Sequence, residues 1–383
     1  DVDQLRKKRN EAARGIAQAK KSGDKIAADT ILSEVATLGT EIDALTEKAD
    51  SCLIERDKIR MRVPNVMHES VPIGEDDQKN TLHRLHGEKS NFDFDPKTHN
   101  DLIELNGWVD LPRGAKVTGS RFYFLQGDLA RLDMALQNYS ANFLIERGYR
   151  LVQPPLMMNR DAYEGVTDLA DFETVMYGIE PDKYYLIATS EHPLTAMRMD
   201  EIIEPSELPI KMVGVSPCFR REVGAHGLSD RGIWRVHQFT KIEQIIICKP
   251  EDSWGHHEEL LENATALWDS LGLHYRVVNI CTGDMGTVAA KKYDLEAWLP
   301  GAGSYKEVVS CSNCTDYQAN RLRMRYRTSD GNEAVHTLNS TAVATSRALV
   351  AIIEQNQNED GSVRIPDVLI PFMGGQREIK SVN

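Results

Sequence analysis

A sustained heptad repeat in the first sixty residues constrains this chain more than any other feature. From Ile31 the steps alternate four and three through Val35, Leu38, Ile42, Leu45, Ala49, Cys52, Arg56 and Ile59, and all but Arg56 are apolar. That spacing lays one seam along one helix, and such a seam is covered only by a second helix. A weaker stripe, Leu5, Ala12, Ile16 and Ala19, precedes it across Ser22-Gly23-Asp24. So short a turn joins antiparallel helices. The spacing therefore predicts an antiparallel coiled-coil arm over residues 1–62. Its long member should reach about 50 Å at about 1.5 Å per residue. One seam cannot fill a globular core, so the arm should project. The chain opens inside the first helical pattern without a Met, and residues ahead of Asp1 are expected.

Residues 1–22 carry seven Lys/Arg, namely Arg6, Lys7, Lys8, Arg9, Arg14, Lys20 and Lys21, against three acids, in a chain of net charge −13. A run of this kind is either a solvated helix face or a phosphate-contacting surface. Composition does not choose between them.

Residues 63–92 change character. Val63-Pro64-Asn65 and Val71-Pro72-Ile73-Gly74 end the helical pattern, and the stretch reads as a connector. From residue 93 to 383 helices and strands mix. Helices are expected over 127–147, 251–271 and 342–357, and strands at Tyr184–Ala188, Lys211–Ser216 and Ile242–Cys248. Their order follows no strict βαβ alternation, which predicts an α+β fold with a mostly antiparallel sheet. No GxGxxG and no GxxxxGK[ST] occurs, so neither of those phosphate loops is indicated. No apolar run approaches the ~18 residues of a membrane span. Six scattered cysteines in 383 residues do not make a disulfide scaffold, and a reducing cytoplasm is the expected location.

The chemistry concentrates in Ser216–Cys248, which reads as strand, long Gly-rich loop, strand. Arg220 and Glu222 stand two apart and share a face if the strand continues through them. Phe239 and Glu243 return on the second strand. Arg with phosphate, an aromatic ring with a base, and acids with amines or a metal would make a nucleotide site. A surface hairpin laced with salt bridges is the plainer alternative.

Phe219-Arg220-Arg221-Glu222 with Val236-His237-Gln238-Phe239 resembles motif 2 of class II aminoacyl-tRNA synthetases. Within that class, further segments resemble the seryl-tRNA synthetases, in wording nearest archaeal members. They are Leu186–Glu191, Tyr305–Cys314, His336–Thr341 and Pro64–Pro72. The resemblance covers essentially the whole chain. It implies a homodimer built on an antiparallel sheet flanked by helices. Motif 1 would run from Gly148 to Pro155, with Pro155 at the dimer interface. Motif 3 would lie at Asn339–Arg347, opening a helix from Ala342, with Ser346 where the family usually has Gly.

By the same resemblance Arg220, Glu222 and Arg347 are the catalytic residues. Thr189, Glu191, Arg220, Glu243, Asn339 and Thr341 form the serine pocket. ATP meets Arg220, Arg221, Glu222, Val236, Phe239, Glu307, Val308, Val309, Ser310 and Arg347, with Arg347 packed on the adenine opposite Phe239. Glu307 and Ser310 hold Mg2+. The tRNA contacts are Arg6, Lys7, Lys8, Arg9, Arg14 and, from the motif 2 loop, Arg231. The implied activity is adenylation of L-serine by ATP and transfer to the 3′ end of tRNA(Ser), and of tRNA(Sec) where present. Zinc is not expected, because Cys311-x-x-Cys314 lacks a second ligand pair. His256-His257 is expected on a solvated helix face. Two other classes remain in view. A ligase charging a carrier protein would lack the arm, and a non-catalytic RNA-binding paralogue would have lost Arg220, Glu222, Glu243, Glu307 or Arg347.

Overall fold

The computed structural model describes residues 1–223 and 232–381. It falls into two compact units, Asp1–Val63 and Pro64–Asn383. The first is a pair of helices, α1 (Val2–Ser22) and α2 (Lys25–Met61). Gly23 closes α1 at φ 72°, a conformation that glycine adopts without steric cost. Asp24 opens α2 by accepting from the Ala27 amide at 3.0 Å. The heptad seam is covered over only part of its length. Ile42 is buried and Ile31, Val35, Leu38 and Leu45 are partly shielded, whereas Ala49, Cys52, Arg56 and Ile59 are exposed. The 21 residues of α1 pair with part of the 37-residue α2.

The second unit is built on an eight-stranded sheet. Its strands are β1 (Thr81–His86), β2 (Arg150–Val152), β3 (Ile210–Phe219), β4 (Gln238–Cys248), β5 (Tyr275–Asn279), β6 (Lys291–Leu299), β7 (Ser304–Asn313) and β8 (His336–Ala344). They lie in the order β1-β5-β6-β7-β8-β4-β3-β2, antiparallel except for the edge pair β2–β3. The stretch expected to be a connector thus supplies an edge strand, β1, paired with β5 from Thr81 to His86.

Alternation gives the sheet two unlike faces. Val213, Ile246, Leu295, Val309, Cys311 and Leu338 project into one large apolar core. Three helices cover that face: α3 (Gly127–Ile145), α4 (Ser253–Ser270) and α5 (Thr345–Gln355). They bring Leu132, Leu136, Leu267, Trp268 and Leu349 into the same core. The intervening residues of the central strands are polar: Lys241 and Glu243 on β4, Lys292 and Asp294 on β6, Ser310 and Ser312 on β7, Asn339 and Thr341 on β8.

Two expectations change at this level. The helix read from residue 342 begins at Thr345, because Val343 and Ala344 are still paired with Ile242 and Lys241 of β4. His257 is fully buried rather than solvated. Its Nε2 lies 3.1 Å from the Cys311 carbonyl oxygen, and its ring stacks on Tyr293. No described helix is long and apolar enough to cross a membrane.

The β4–β8 register slips between Ile242 and Glu243, so Ala342 is the extra residue of a bulge. Trp268 of α4 donates its indole N–H to the Ala342 carbonyl at 3.0 Å. A buried carbonyl left without a donor costs about 1–3 kcal/mol. Trp268→Phe is therefore expected to lower unfolding stability by about 1–3 kcal/mol, read as a lower urea midpoint of the full chain. An unchanged midpoint would mean the bulge needs no side-chain partner.

Candidate active site

The polar face of the sheet forms the floor of a cavity of about 400 Å³. Period-two alternation puts Phe239, Lys241 and Glu243 of β4 on it, and Ser310 and Ser312 of β7. Bulges add what alternation alone would not. The β6–β7 register slips opposite Leu295/Glu296, which makes Val308 the extra residue. Glu307 and Val308 both reach the cavity in consequence. The Ala342 bulge does the same on β8: Asn339 and Thr341 line the cavity before it, and Ala344 after it.

One end of the cavity is a dense polar cluster. Glu243 is buried, with Lys241 Nζ 2.7 Å from its Oε2 and the Thr341 hydroxyl donating to the same oxygen at 3.2 Å. Glu191 opens the short helix Glu191–Ala196 and accepts from the Gln318 amide at 3.0 Å. The Glu191 amide donates to Thr189 Oγ1 at 3.1 Å. Burial, and then the neighbouring charge of Glu243, push the Glu191 carboxyl up to about 7. Two acids in one dry pocket resist ionising together. Asn339 donates its amide to Cys314 Sγ at 3.5 Å. Gly214 of β3 lies behind this cluster. A Cβ there would stand 2.6 Å from Ser190 Oγ and 2.7 Å from Leu194, so only glycine lets the Thr189–Glu191 turn sit so close.

The other end holds the larger cations. Arg220 lies 5.4 Å from the Phe239 ring centroid and donates Nε to the Ala188 carbonyl at 3.2 Å. Strand β3 ends at Phe219 and Glu222 has φ 45°, so Arg220 and Glu222 do not share a face by strand alternation. They meet at the cavity because the chain turns. Glu222 takes an ion pair from Arg235 at 3.3 Å, and Arg121 donates to its carbonyl at 2.7 Å. Arg347 donates to the Glu307 carbonyl at 2.8 Å and lies 5.3 Å over the ring of Trp234, the aromatic it meets rather than Phe239. Packing around the Glu307 carboxyl works to raise its pKa. The positive charges of Arg347, Lys292, Arg220 and Arg235 outweigh that and lower it.

The cavity wall thus gathers Thr189, Glu191, Arg220, Glu222, Val236, Phe239, Glu243, Glu307, Val308, Ser310, Asn339, Thr341 and Arg347. Two expected nucleotide contacts are elsewhere. Val309 points into the apolar core, because it alternates with Ser310. Arg221 is exposed, its amide tied to the Val175 carbonyl at 2.8 Å, and it does not line the cavity. Arg231 lies outside the described residues. Arg6, Lys7, Lys8 and Arg14 are exposed on α1, and Arg9 is partly covered. Cys311 and Cys314 are both buried and free. Cys311 donates to the His257 carbonyl, and His336 pairs with Ser253 Oγ at 2.9 Å.

The comparisons agree with this geometry. The family model described as the tRNA synthetase class II core domain (G, H, P, S and T) matches residues 175–356, and the seryl-tRNA synthetase N-terminal domain matches residues 1–67. The serine–tRNA ligase of Methanocella arvoryzae is 55% identical over 381 residues, covering 98% of this chain and 88% of its own. That of Methanoregula boonei is 56% identical over 376 residues, covering 97% and 88%. The chain belongs to the seryl-tRNA synthetase family. The ATP complex of the Pyrococcus horikoshii seryl-tRNA synthetase superposes with a TM-score of 0.87 at 44% identity, covering 100% of this chain and 90% of its own.

Several residues of this synthetase cavity were not singled out in the sequence. Lys241 is one, and the signal for it was present: two residues before Glu243 on a strand is the same face. Trp234 and Lys292 carried no such signal. Asn65 acts from further away. Its side-chain amide donates to the carbonyls of Val288 and Cys314 at 2.9 and 2.7 Å, which pins the cavity wall at 285–289.

Lys241 is the cation paired with the buried Glu243 carboxyl. Breaking a buried pair by removing one partner costs about 3–5 kcal/mol. Lys241→Met is expected to destabilise the chain by about that amount near pH 8. The deficit should shrink toward pH 5. The Glu191 carboxyl already lies up at about 7 and the Lys241 charge works to lower it, so the substitution raises it further. A carboxyl raised in the folded state binds a proton before it does in the unfolded chain, so its stability contribution is lost as pH rises. Thermal melts at both pH values would show it, and a deficit independent of pH would contradict it.

Proposed function

We propose that this cavity joins L-serine to ATP as seryl-adenylate and then passes the seryl group to the 3′ end of tRNA(Ser). The observation that carries the reading is the pairing of Arg220 and Phe239 at one end of a cavity whose other end holds Glu191, Glu243, Thr189 and Thr341. Serine has a carboxylate, an ammonium and a hydroxyl, and each finds a complementary partner there. Arg220 takes the carboxylate. Thr189, Glu191 and Glu243 take the amino group and hydroxyl, with Asn339 and Thr341 beside them. A pocket that pairs the hydroxyl disfavours an analogue lacking it, because a buried polar group is then left unpaired.

The serine carboxylate is ionised near neutral pH and needs no protein base to attack the α-phosphate. The residues then act by alignment and charge. Arg220 bridges the carboxylate and the α-phosphate, holding the reacting atoms together. The adenine stacks on Phe239, near Val236 and Val308. Glu222 orients the nucleotide, and Arg347, planar and permanently charged, reaches from Trp234 to the terminal phosphate. Glu307 and Ser310 would hold Mg2+. Their oxygens suit a hard cation, and the buried Asp294 Oδ1, on the strand opposite Ser310, has no hydrogen-bond partner. When bound, the ion supplies neutralising charge at the phosphates.

The arm supports tRNA over a carrier protein as acceptor, and the intact Arg220, Glu222, Glu243, Glu307 and Arg347 count against a non-catalytic paralogue. We read the protein as a cytoplasmic homodimer. The exposed Leu151, Leu156 and Met157 flank Pro155 and form an apolar surface suited to a second copy.

Two experiments test this reading. Amino-acid-dependent ATP–pyrophosphate exchange is expected with serine and not with alanine, glycine or threonine. Because the Glu191 carboxyl lies up at about 7 and must be ionised to take an ammonium, kcat/KM for serine should rise with pH up to about 7 and then level. Arg220→Met should cut exchange by about 10²–10³. Exchange with alanine or glycine would move the reading to a carrier ligase. For the arm, neutralising Arg6, Lys7, Lys8 and Arg9 together is expected to weaken tRNA binding and flatten its salt dependence, as loss of phosphate contacts does. Unchanged affinity and slope in filter binding would remove these residues from the interface.

A further inference from the structure

At the serine end of the cavity lies a buried pair that the proposed chemistry does not use, His192 in the cavity wall and Tyr163 behind it. Tyr163, on the helix Arg160–Val166, and His192, on the helix Glu191–Ala196, are both buried. The Tyr163 hydroxyl lies 2.9 Å from His192 Nδ1 and accepts from the Ala188 amide at 3.2 Å. The carbonyl of the same Ala188 accepts from Arg220 Nε at 3.2 Å. One residue is therefore held through both of its backbone groups: by Tyr163 at its N–H, and by Arg220 at its C=O. That residue is followed directly by the Thr189–Glu191 turn. Ala188 is thus the link between the arginine and the turn. Burial first, and then the charges of Lys241 and Arg220, push the His192 ring down to about 3. A neutral imidazole has one acceptor nitrogen. Since the Tyr163 oxygen already accepts from Ala188, its proton is free to go to Nδ1, and the chain His192–Tyr163–Ala188–Arg220 has a single consistent polarity.

We propose that Tyr163 and His192 are a positioning pair that fixes the spacing between Arg220 and the Thr189–Glu191 turn, and so sets how tightly serine is held. The proposal rests on the reading of this cavity as the serine site. Neither side chain is required to touch substrate. The pair acts through Ala188 on the Thr189–Glu191 turn, which meets serine alone, and on Arg220, which also meets the α-phosphate, so its loss should be felt far more in serine binding than in ATP binding.

The test is serine-dependent ATP–pyrophosphate exchange on the full chain, with KM measured separately for serine and for ATP. Tyr163→Phe keeps the buried ring and removes only the hydroxyl. It is expected to raise KM for serine about tenfold, the effect of one unsatisfied buried hydrogen bond, with KM for ATP within about twofold. His192→Leu should do the same, and the double variant should be no worse than Tyr163→Phe alone, as coupled residues require. His192→Asn, whose side chain puts a polar atom near the Nδ1 position, should recover most of what His192→Leu loses, whereas His192→Gln, which reaches toward Nε2, should not. The proposal is overturned if KM for serine is unchanged in Tyr163→Phe, if KM for ATP rises equally, or if Gln rescues and Asn does not, since the ring would then contact substrate directly. Should Tyr163→Phe fail to fold, the three His192 variants decide. Absence of serine-dependent exchange in the unmodified chain would overturn the serine-site reading together with the pair. An active chain with unaltered variants overturns the pair alone.

Discussion

Everything at the candidate site depends on the central sheet keeping two unlike faces. Strands β4, β6, β7 and β8 must each send one set of side chains into a core covered by three helices and the other set into a polar cavity. A register slip of one residue would exchange the sets and bury Lys241, Glu243, Asn339 and Thr341 among leucines. The apolar side specifies the register. Ile246, Leu295, Val309, Cys311 and Leu338 are all buried in one cluster, and each methylene placed there is worth roughly 0.8 kcal/mol. The polar residues inherit their positions from that packing. The cavity is therefore rigid because of residues that never face it.

The bulges are the local departures that make the site specific. A regular β7 would aim Ser310 and Ser312 at the cavity and turn Glu307 away. The extra residue Val308 brings Glu307 round, where Arg347 lies 3.4 Å away. A regular β8 could not present Asn339 and Thr341 on one side of the slip and Ala344 on the other. Bulges leave ladder groups unpaired, and here the indole N–H of Trp268 takes one of them. Charge is arranged on the same frame. Glu191, Glu243 and Glu307 alternate with Lys241, Arg220 and Arg347, so each acid has a cation or an amide within reach. Glu191 accepts from the Gln318 amide, but burial, and then the charge of Glu243, still push its carboxyl up.

Much of this was legible in the sequence. The arm could be read from its heptads, and the α+β class from the order of the elements. The cavity residues came from short motifs that resemble a known family and not from periodicity. What escaped did so for physical reasons. Period-two reasoning carried Arg220 and Glu222 onto one strand, but the strand stops at Phe219 and the positive φ of Glu222 is a property of the turn. Val309 was grouped with Val308 because they are neighbours, although alternation alone turns it into the core; what nothing local announces is the bulge that brings Glu307 round. His257 looked solvated in a polar helix, yet its turn of α4 faces Cys311 and Tyr293. Residues 342–344 look helical by composition and are held in a strand by β4. Long-range pairing overrode local preference in each case.

The distribution of charge bears on how an acidic chain can serve a polyanion. With a net charge of −13, most of the surface repels a phosphate backbone. Attraction is left to a few places: the basic run of α1, and the arginines around the cavity. Such a chain gains little from non-specific contact, because a phosphate backbone is attracted only where lysines and arginines gather. A backbone that binds must satisfy the local positive sites and avoid the rest, which converts poor overall electrostatics into discrimination by shape. Of the arginines around the cavity, Arg347 is paired with Glu307 and Arg235 with Glu222. Their charge is therefore offered only to a ligand that enters and competes for them, and a triphosphate, with several anionic oxygens on one short chain, is such a ligand.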